Sequence, residues 1–320
     1  MDNFQSLFHQ EWQHLQDPHV RALAWILTSP SMLAKESILW NKQIATLVLP
    51  EAEKLHAWLS ELDQSPAHLH EALAIYKHRR LGHYAENLLA FFLNQQGILY
   101  AHGMQVHADR AATIGEFDFL LHHPGGLLHW EIATKFYLLE RGSDLSHSAN
   151  LYDYLGPNLA DTLGAKMEKI FQQQLMLSQH PIAKKMLPSP VIAAQALIKG
   201  WLFYRQTTDD LTAIEGLAQN HCRGYWWSLE EIIQKGISYA LVLPRLQWLA
   251  PAQTTADKVL DTAALCQILQ QHFLHDNSPV LLAVMRNNDG VMQEDYRGMV
   301  VPDDWLARAR ALPHRRTFNA

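Results

Sequence analysis

The stretch Gly115-Glu116-Phe117-Asp118-Phe119-Leu120-Leu121, followed by His129-Trp130-Glu131-Ile132-Ala133-Thr134-Lys135-Phe136, decides how this chain reads. Both segments alternate in polarity with a period of two, the pattern of strands that turn one face to a core. Between them, His122-His123-Pro124-Gly125-Gly126 reads as a hairpin turn. A turn centred on Pro124-Gly125 sets Asp118 opposite Glu131 and Glu116 opposite Ala133. Like charges on facing strand positions destabilise a sheet. A cation between the carboxylates resolves that conflict, and hard divalent ions such as magnesium take such oxygen clusters. Lys135 lies further along the same face as Glu131, and Phe117, Phe119, Trp130, Ile132 and Phe136 mark the other face as core. The competing reading is a solvated hairpin face, where alternating acids are common.

Upstream, Tyr84, Leu88, Phe91 and Phe92 form a core-facing helix stripe between Leu81 and Gln96, ended by Gly97. Ile98 to Val106 then reads as a strand. Downstream, a loop with Gly142, Ser143, Gly156 and Pro157 leads to a helix from about Asp161 to Ser178. Pro188-Ser189-Pro190 introduces a strand from Val191 to Leu197 with room to run on to Tyr204. The order helix, three strands, helix, strand predicts an α/β unit with an antiparallel hairpin inside a mixed sheet. Before it, residues 1–77 read as helices, with starts at Asp17-Pro18, Pro50-Glu51 and Ser65-Pro66. After it, residues 206–320 read as an α/β extension that packs on the core or forms a small second domain. That extension has a short helix near Ser228, a strand from Tyr239 to Leu249 interrupted at Pro244, a helix from Leu260 to Phe273 and a buried strand from Pro279 to Met285.

These residues resemble the PD-(D/E)XK nuclease superfamily. More closely, LGHYAENLLAFFL, GEFDFLL, HWEIATKFYL and LGPNLADTL resemble an uncharacterised bacterial family placed in that superfamily. The match covers roughly residues 78–205, with weaker matches at LVLPRLQWLAP and RGMVVPDDW. The resemblance implies a restriction-endonuclease-like core over residues 78–205. It implies that Asp118 and Glu131 ligate one or two Mg2+ or Mn2+ ions with help from the Ile132 carbonyl, and that Glu86 reaches the metal directly or through water. It also implies phosphodiester cleavage, with DNA as the expected partner, and Lys135 as the group that positions water or neutralises charge. Here the chain departs from the common pattern. The lysine belongs two residues after the acid, where this chain has Ala133, and Lys135 lies about 7 Å further along the strand. Lys166 or Lys169 on the following helix is the alternative source of charge. Gln172, Gln173 and Gln174 on that helix are candidates for backbone contact with a nucleic acid, although the Gln-x-x-x-Tyr motif of some relatives is absent. The displaced lysine keeps a non-catalytic binding or scaffold module open, as well as hydrolysis of a small phosphate ester.

Bulk properties bound these readings. The chain has 320 residues, 48% hydrophobic and 18% charged, so a sizeable core can form. The formal net charge of −6 argues against a nucleic-acid coat protein but permits a local basic groove beside a metal. No apolar run approaches the roughly 20 residues that span a bilayer, and the start MDNFQSLFHQEW is not a secretory leader. With Cys222 and Cys266 as its two cysteines, the chain is expected in a reducing, cytoplasmic compartment. His68, His70, His122, His123 and His129 lack zinc-ligand spacing. Trp201, Phe203, Tyr204, Tyr225, Trp226 and Trp227 read as packing rather than base-stacking platforms. No nucleophile elbow, phosphate-binding loop or dinucleotide fingerprint is present, and Arg308, Arg310, Arg315 and Arg316 read as a solvated basic tail.

Overall fold

The computed structural model describes residues 3–73, 80–108, 113–141, 149–205 and 214–312. Gly142, Ser143, Arg315 and Arg316 lie outside them. The N-terminal helices are α1 Phe4–Trp12, α2 Pro18–Thr28, α3 Ala52–Gln64 and α4 Ala67–Leu73. The Asp17 side chain accepts from the His19 and Val20 N–H groups, so α2 starts as its Asp-Pro signal predicts. The next elements are α5 Leu81–Gln95, β1 Leu99–His107, β2 Thr113–His123, β3 Gly126–Leu139, β4 Tyr154–Leu155, α6 Leu163–Lys169, α7 Pro181–Met186 and β5 Val191–Tyr204. They are followed by β6 Cys222–Ser228, α8 Leu229–Lys235, β7 Ala240–Val242, β8 Gln253–Thr254, α9 Thr262–His275, β9 Val280–Asn288, β10 Val291–Val301 and α10 Trp305–Arg310.

One ten-stranded mixed sheet runs through the described residues in the order β1-β2-β3-β5-β6-β10-β9-β7, with β4 on β3 and β8 on β10. The pairs β3–β5, β5–β6 and β6–β10 are parallel and central, and antiparallel hairpins flank them. The C-terminal extension thus continues the sheet that the hairpin begins. Parallel strands need cover on both faces, and side chains alternate accordingly. Leu197, Trp201 and Phe203 of β5 join the core beneath α2 and α5, whereas Ala196, Ile198 and Leu202 join Met167 and Ile170 around α6. Further along, Leu282, Val284 and Val300 pack against Ile232 of α8 and Leu265 and Leu269 of α9. Helices therefore cover the sheet on both sides.

Gly200 permits the closest approach of β5 to β3. Its φ is 141°, and a Cβ there would fall 1.8 Å from the Lys135 backbone oxygen. Two expectations change in the C-terminal part. The strand expected from Tyr239 to Leu249 stops after Val242, because Pro244 has no ladder donor and the chain turns into a short helix at Arg245–Gln247. β10, a central strand, takes in the first five residues of RGMVVPDDW, Arg297 to Val301, where the sequence pattern predicts no strand.

Candidate functional site

The hairpin forms with the expected two-residue turn, and its register runs from His123–Gly126 to Phe119–Trp130. The ladder ends there, one position before Asp118 and Glu131. Beyond it β2 stays with β1, where Glu116 pairs Gln105, while β3 stays with β5, where Glu131 pairs Ala196. The strands part at the two acids, so Glu116 does not pair Ala133. Asp118 bridges the opening: its Oδ2 accepts the Ile132 N–H at 3.0 Å.

The alternation of side chains also slips at this level. Phe117 and Leu120 share one core cluster, although Phe119 and Leu121 belong to another. On β1, Ala101 and Met104 pack on the Phe117 cluster, while His102 stacks on Phe119 with ring centroids 4.8 Å apart. Gly103, between His102 and Met104 and across from Asp118, has φ 63°. A left-handed residue in a strand kinks it as a bulge does. Phe117 therefore faces away from Phe119, edge-on to His129 at 4.7 Å, rather than forming one apolar face with Phe119, Trp130 and Ile132.

Glu131 is the centre of the cluster and is 1% exposed. Its Oε1 lies 2.9 Å from His129 Nε2, and its Oε2 accepts from Gln174 Nε2 at 2.5 Å. Gln174 Oε1 in turn accepts from Lys166 Nζ at 3.2 Å. Burial pushes the His129 imidazole down to about 4, so the ring is neutral and donates from Nε2. The Asp118 carboxyl is pushed up to about 8, first by burial and then by the charge of Glu131. Burial raises Glu131 to about 7 against the opposing pull of the Asp118 backbone and side chain and of Lys166. Two such groups cannot both ionise freely, and near neutral pH they compete for one proton.

Glu86 on α5 accepts from or is paired with His83 Nδ1 at 3.1 Å, and its charge raises both Asp118 and Glu131. It stands within electrostatic reach of the pair. Among the described residues no three histidine, cysteine, aspartate or glutamate side chains form a metal-holding group. Lys135 points to a different acid: its Nζ is 3.8 Å from Asp161 Oδ2, which also accepts from the Tyr137 hydroxyl at 3.0 Å. Lys166 is the lysine that acts on Asp118 and Glu131, and burial together with Lys135 and Lys169 lowers its pKa. Gln174, one of the three glutamines expected to face a nucleic-acid backbone, holds Glu131 through its amide. Nothing in the spacing signals this, because it depends on a five-residue π-helical segment, Ile170–Gln174, inserted after α6.

The remaining motifs are structural. Trp305 Nε1 donates to the Pro157 oxygen, linking RGMVVPDDW to LGPNLADTL. Trp201, Phe203, Tyr204, Trp226 and Trp227 are at most 5% exposed and cannot offer faces to bases. Cys222 and Cys266 are free thiols. No helix among the described residues is long and apolar enough to cross a membrane.

A metal is implied by the resemblance, and the donor set tests it. Two carboxylates, joined among the described residues by no third side chain placed to share an ion and with the nearby His129 ring turned to Glu131 itself, do not suit a closed zinc site. They do suit magnesium, which keeps several waters and is held by one or two carboxylates plus substrate phosphate oxygens. The neutral His129 ring and the Gln174 amide each sit against one oxygen of Glu131 and fix its rotamer, and Asp118 hydrogen-bonds the same carboxyl. No curated protein and no solved structure matches the chain. A family model described as a domain of unknown function, DUF1853, matches residues 21–301, and the chain belongs to that family.

Proposed function

We propose that this protein is a divalent-cation-dependent phosphodiesterase of the PD-(D/E)XK type, with DNA as the expected substrate. The observation that carries the reading is the Asp118–Glu131 pair, two carboxyls of raised pKa facing one another where β2 and β3 part. The observed order α5, β1, β2, β3, β4, α6, α7, β5, a helix, three strands, a helical segment and a strand apart from the two-residue β4, supports the superfamily resemblance. Asp118 and Glu131 would hold the ion, and Glu86 adds negative charge that favours it. Bound Mg2+ or Mn2+ would supply a Lewis acid for the phosphate oxygens and a more acidic water. In the hydrolysis, the water oxygen forms a new bond to phosphorus, an ester P–O bond breaks, the water loses a proton and the leaving oxygen gains one. Lys135, Lys166 and Lys169 lie close enough to influence each other and give the phosphate a cationic flank.

Incubation of the purified chain with linear, nicked and single-stranded DNA, and with RNA, tests the reading. We expect Mg2+- or Mn2+-dependent cleavage that EDTA stops. No cleavage of any substrate, together with no Asp118-dependent cation binding in calorimetry, would overturn it. That no third ligand joins the pair among the described residues, and that Lys135 pairs with Asp161, favour one alternative, a non-catalytic binding module. That alternative predicts nucleic-acid binding without cleavage.

A second expectation concerns protons. The pair holds a proton near neutral pH, so cation binding must expel it. Calorimetry in buffers of different ionisation enthalpy should find about one proton released per ion at pH 7. Affinity should rise from about pH 6 to 8, the interval of the raised pKa values. Affinity independent of pH would contradict a shared proton.

A further inference from the structure

We propose that Gln174 is a positioning residue for Glu131 and that Lys166, held through Gln174, supplies the positive charge of the site in place of Lys135. The inference rests on the cation-binding reading above, chooses Lys166 among the candidate lysines and gives Gln174 a role toward Glu131.

The geometry begins with the helix that follows β4. In a regular α-helix, residues eight apart differ by about 80° around the axis. Lys166 and Gln174 are eight apart, yet Lys166 Nζ is 3.2 Å from Gln174 Oε1. The π segment Ile170–Gln174 has more residues per turn, which narrows that angle and brings the two side chains to one face. The segment is fixed from outside. Phe171 stacks on the fully buried Trp40 with ring centroids 4.8 Å apart, and Trp40 Nε1 donates to the Gly216 oxygen. Single π turns cost hydrogen-bond geometry and concentrate at functional sites. Here the turn produces one result, the aim of the Gln174 amide at Glu131 Oε2.

An amide is suited to this place. Its N–H donates to Glu131 while its oxygen accepts from Lys166, so one side chain passes the orientation of an ammonium to a buried carboxylate. It adds no charge to compete with the ion. Lys135 has no such route: on the same face of β3 it is drawn to Asp161, which Tyr137 also holds. The site thus obtains from a helix the lysine that the usual pattern takes from the strand.

The test uses the full chain and Mn2+ as the probe. Mn2+ binding is read by calorimetry and by the electron paramagnetic resonance of bound Mn2+, and DNA cleavage is measured alongside. Gln174→Leu should weaken Mn2+ binding by about tenfold or more, as loss of a partner to a ligating carboxylate does, and should alter the Mn2+ spectrum. Lys166→Met should leave Mn2+ affinity equal or higher, since a nearby positive charge is gone, yet lower kcat on the order of a hundredfold. Lys166→Arg should recover part of that loss, and Lys135→Met should cost less than Lys166→Met. A larger loss for Lys135→Met, or wild-type Mn2+ affinity and spectrum in Gln174→Leu, would overturn the inference while leaving the cation site intact. Absence of Asp118-dependent Mn2+ binding in the unmodified chain would overturn both readings. Circular dichroism separates misfolding from these outcomes. If Gln174→Leu does not fold, Gln174→Asn, which keeps the amide but shortens its reach, carries the same expectation.

Discussion

Asp118→Asn should abolish divalent-cation binding and the cleavage that depends on it, and it should stabilise the cation-free protein at pH 8. The first half follows from ligand chemistry. Asparagine keeps an oxygen for the Ile132 N–H but loses the negative charge that balances a cation. A metal contributes several kcal/mol to stabilising a phosphoryl transition state, so cleavage should fall on the order of a thousandfold. The second half distinguishes a ligand from a structural residue. Most substitutions at a partly buried hydrogen-bonded position destabilise a protein. Here the wild-type carboxyl is strained by burial and by Glu131, and its pKa is raised to about 8 from 3.8.

An acid whose pKa is higher folded than unfolded favours the fold when protonated. That contribution is complete below the unfolded value, near 4, and is lost as pH rises through the folded values of about 7 for Glu131 and about 8 for Asp118. Wild type should therefore lose stability relative to Asp118→Asn between about pH 4 and 8, by roughly 1–3 kcal/mol at the upper end. The comparison is needed because His9, His129 and His221 have lowered pKa values and act in the opposite direction, losing stability as pH falls below 6.5. His9 and His221 are common to both proteins and cancel in the difference, whereas His129 loses the Asp118 charge that raises its pKa, which shifts the comparison in the same direction. Saturating Mn2+ should remove the wild-type deficit by mass action. Equal unfolding midpoints of the two proteins from pH 5 to 8 without metal would contradict the account.

What the sequence made legible follows from which signals are local. The Pro124-Gly125 turn, the three strands around it and β5 are carried by period-two alternation and by Gly and Pro punctuation within a few residues. The nearness of Asp118 to Glu131 followed from the turn, although the ladder stops one pair short of them. The break at Asp118 did not, because it depends on the left-handed Gly103 on a neighbouring strand. The contact of Gln174 with Glu131 was not legible because its reach needs the π turn, which i, i+4 spacing cannot reveal. Lys135 is on the expected face, yet Asp161, 26 residues later in sequence, sets its contact. β10 was unreadable as a central strand because Gln293, Glu294, Asp295 and Arg297 interrupt its apolar pattern.

That interruption carries the largest stability prediction. Glu294 and Arg297 are both fully buried, 0% exposed, in a strand where residues three apart should face opposite sides. A bulge between Glu294 and Tyr296 adds one residue against β9 and turns both side chains the same way. Arg297 then donates from Nε to Glu294 Oε1 at 2.6 Å and from Nη2 to Oε2 at 2.8 Å. It also donates to the oxygens of Trp248 and Ala250 and stacks 3.9 Å above the Trp201 ring. The Trp248 and Ala250 carbonyls, in the segment after the Arg245–Gln247 turn, are thereby satisfied. Arg297→Met would leave the Glu294 carboxylate buried without its cation, which should cost about 3–5 kcal/mol. Glu294→Gln with Arg297→Met removes the unpaired charge and should be clearly more stable than the single variant. It should still fall short of wild type, because each unpaired buried carbonyl costs about 1–3 kcal/mol. Denaturant unfolding of the three proteins measures this, and equal destabilisation of the single and double variants would show that the charge pair is not the cause. Neither substitution touches the cleft between β2 and β3. Where the variants remain folded, Mn2+ affinity should match wild type, which separates the residues that hold the sheet together from those that act on the ion.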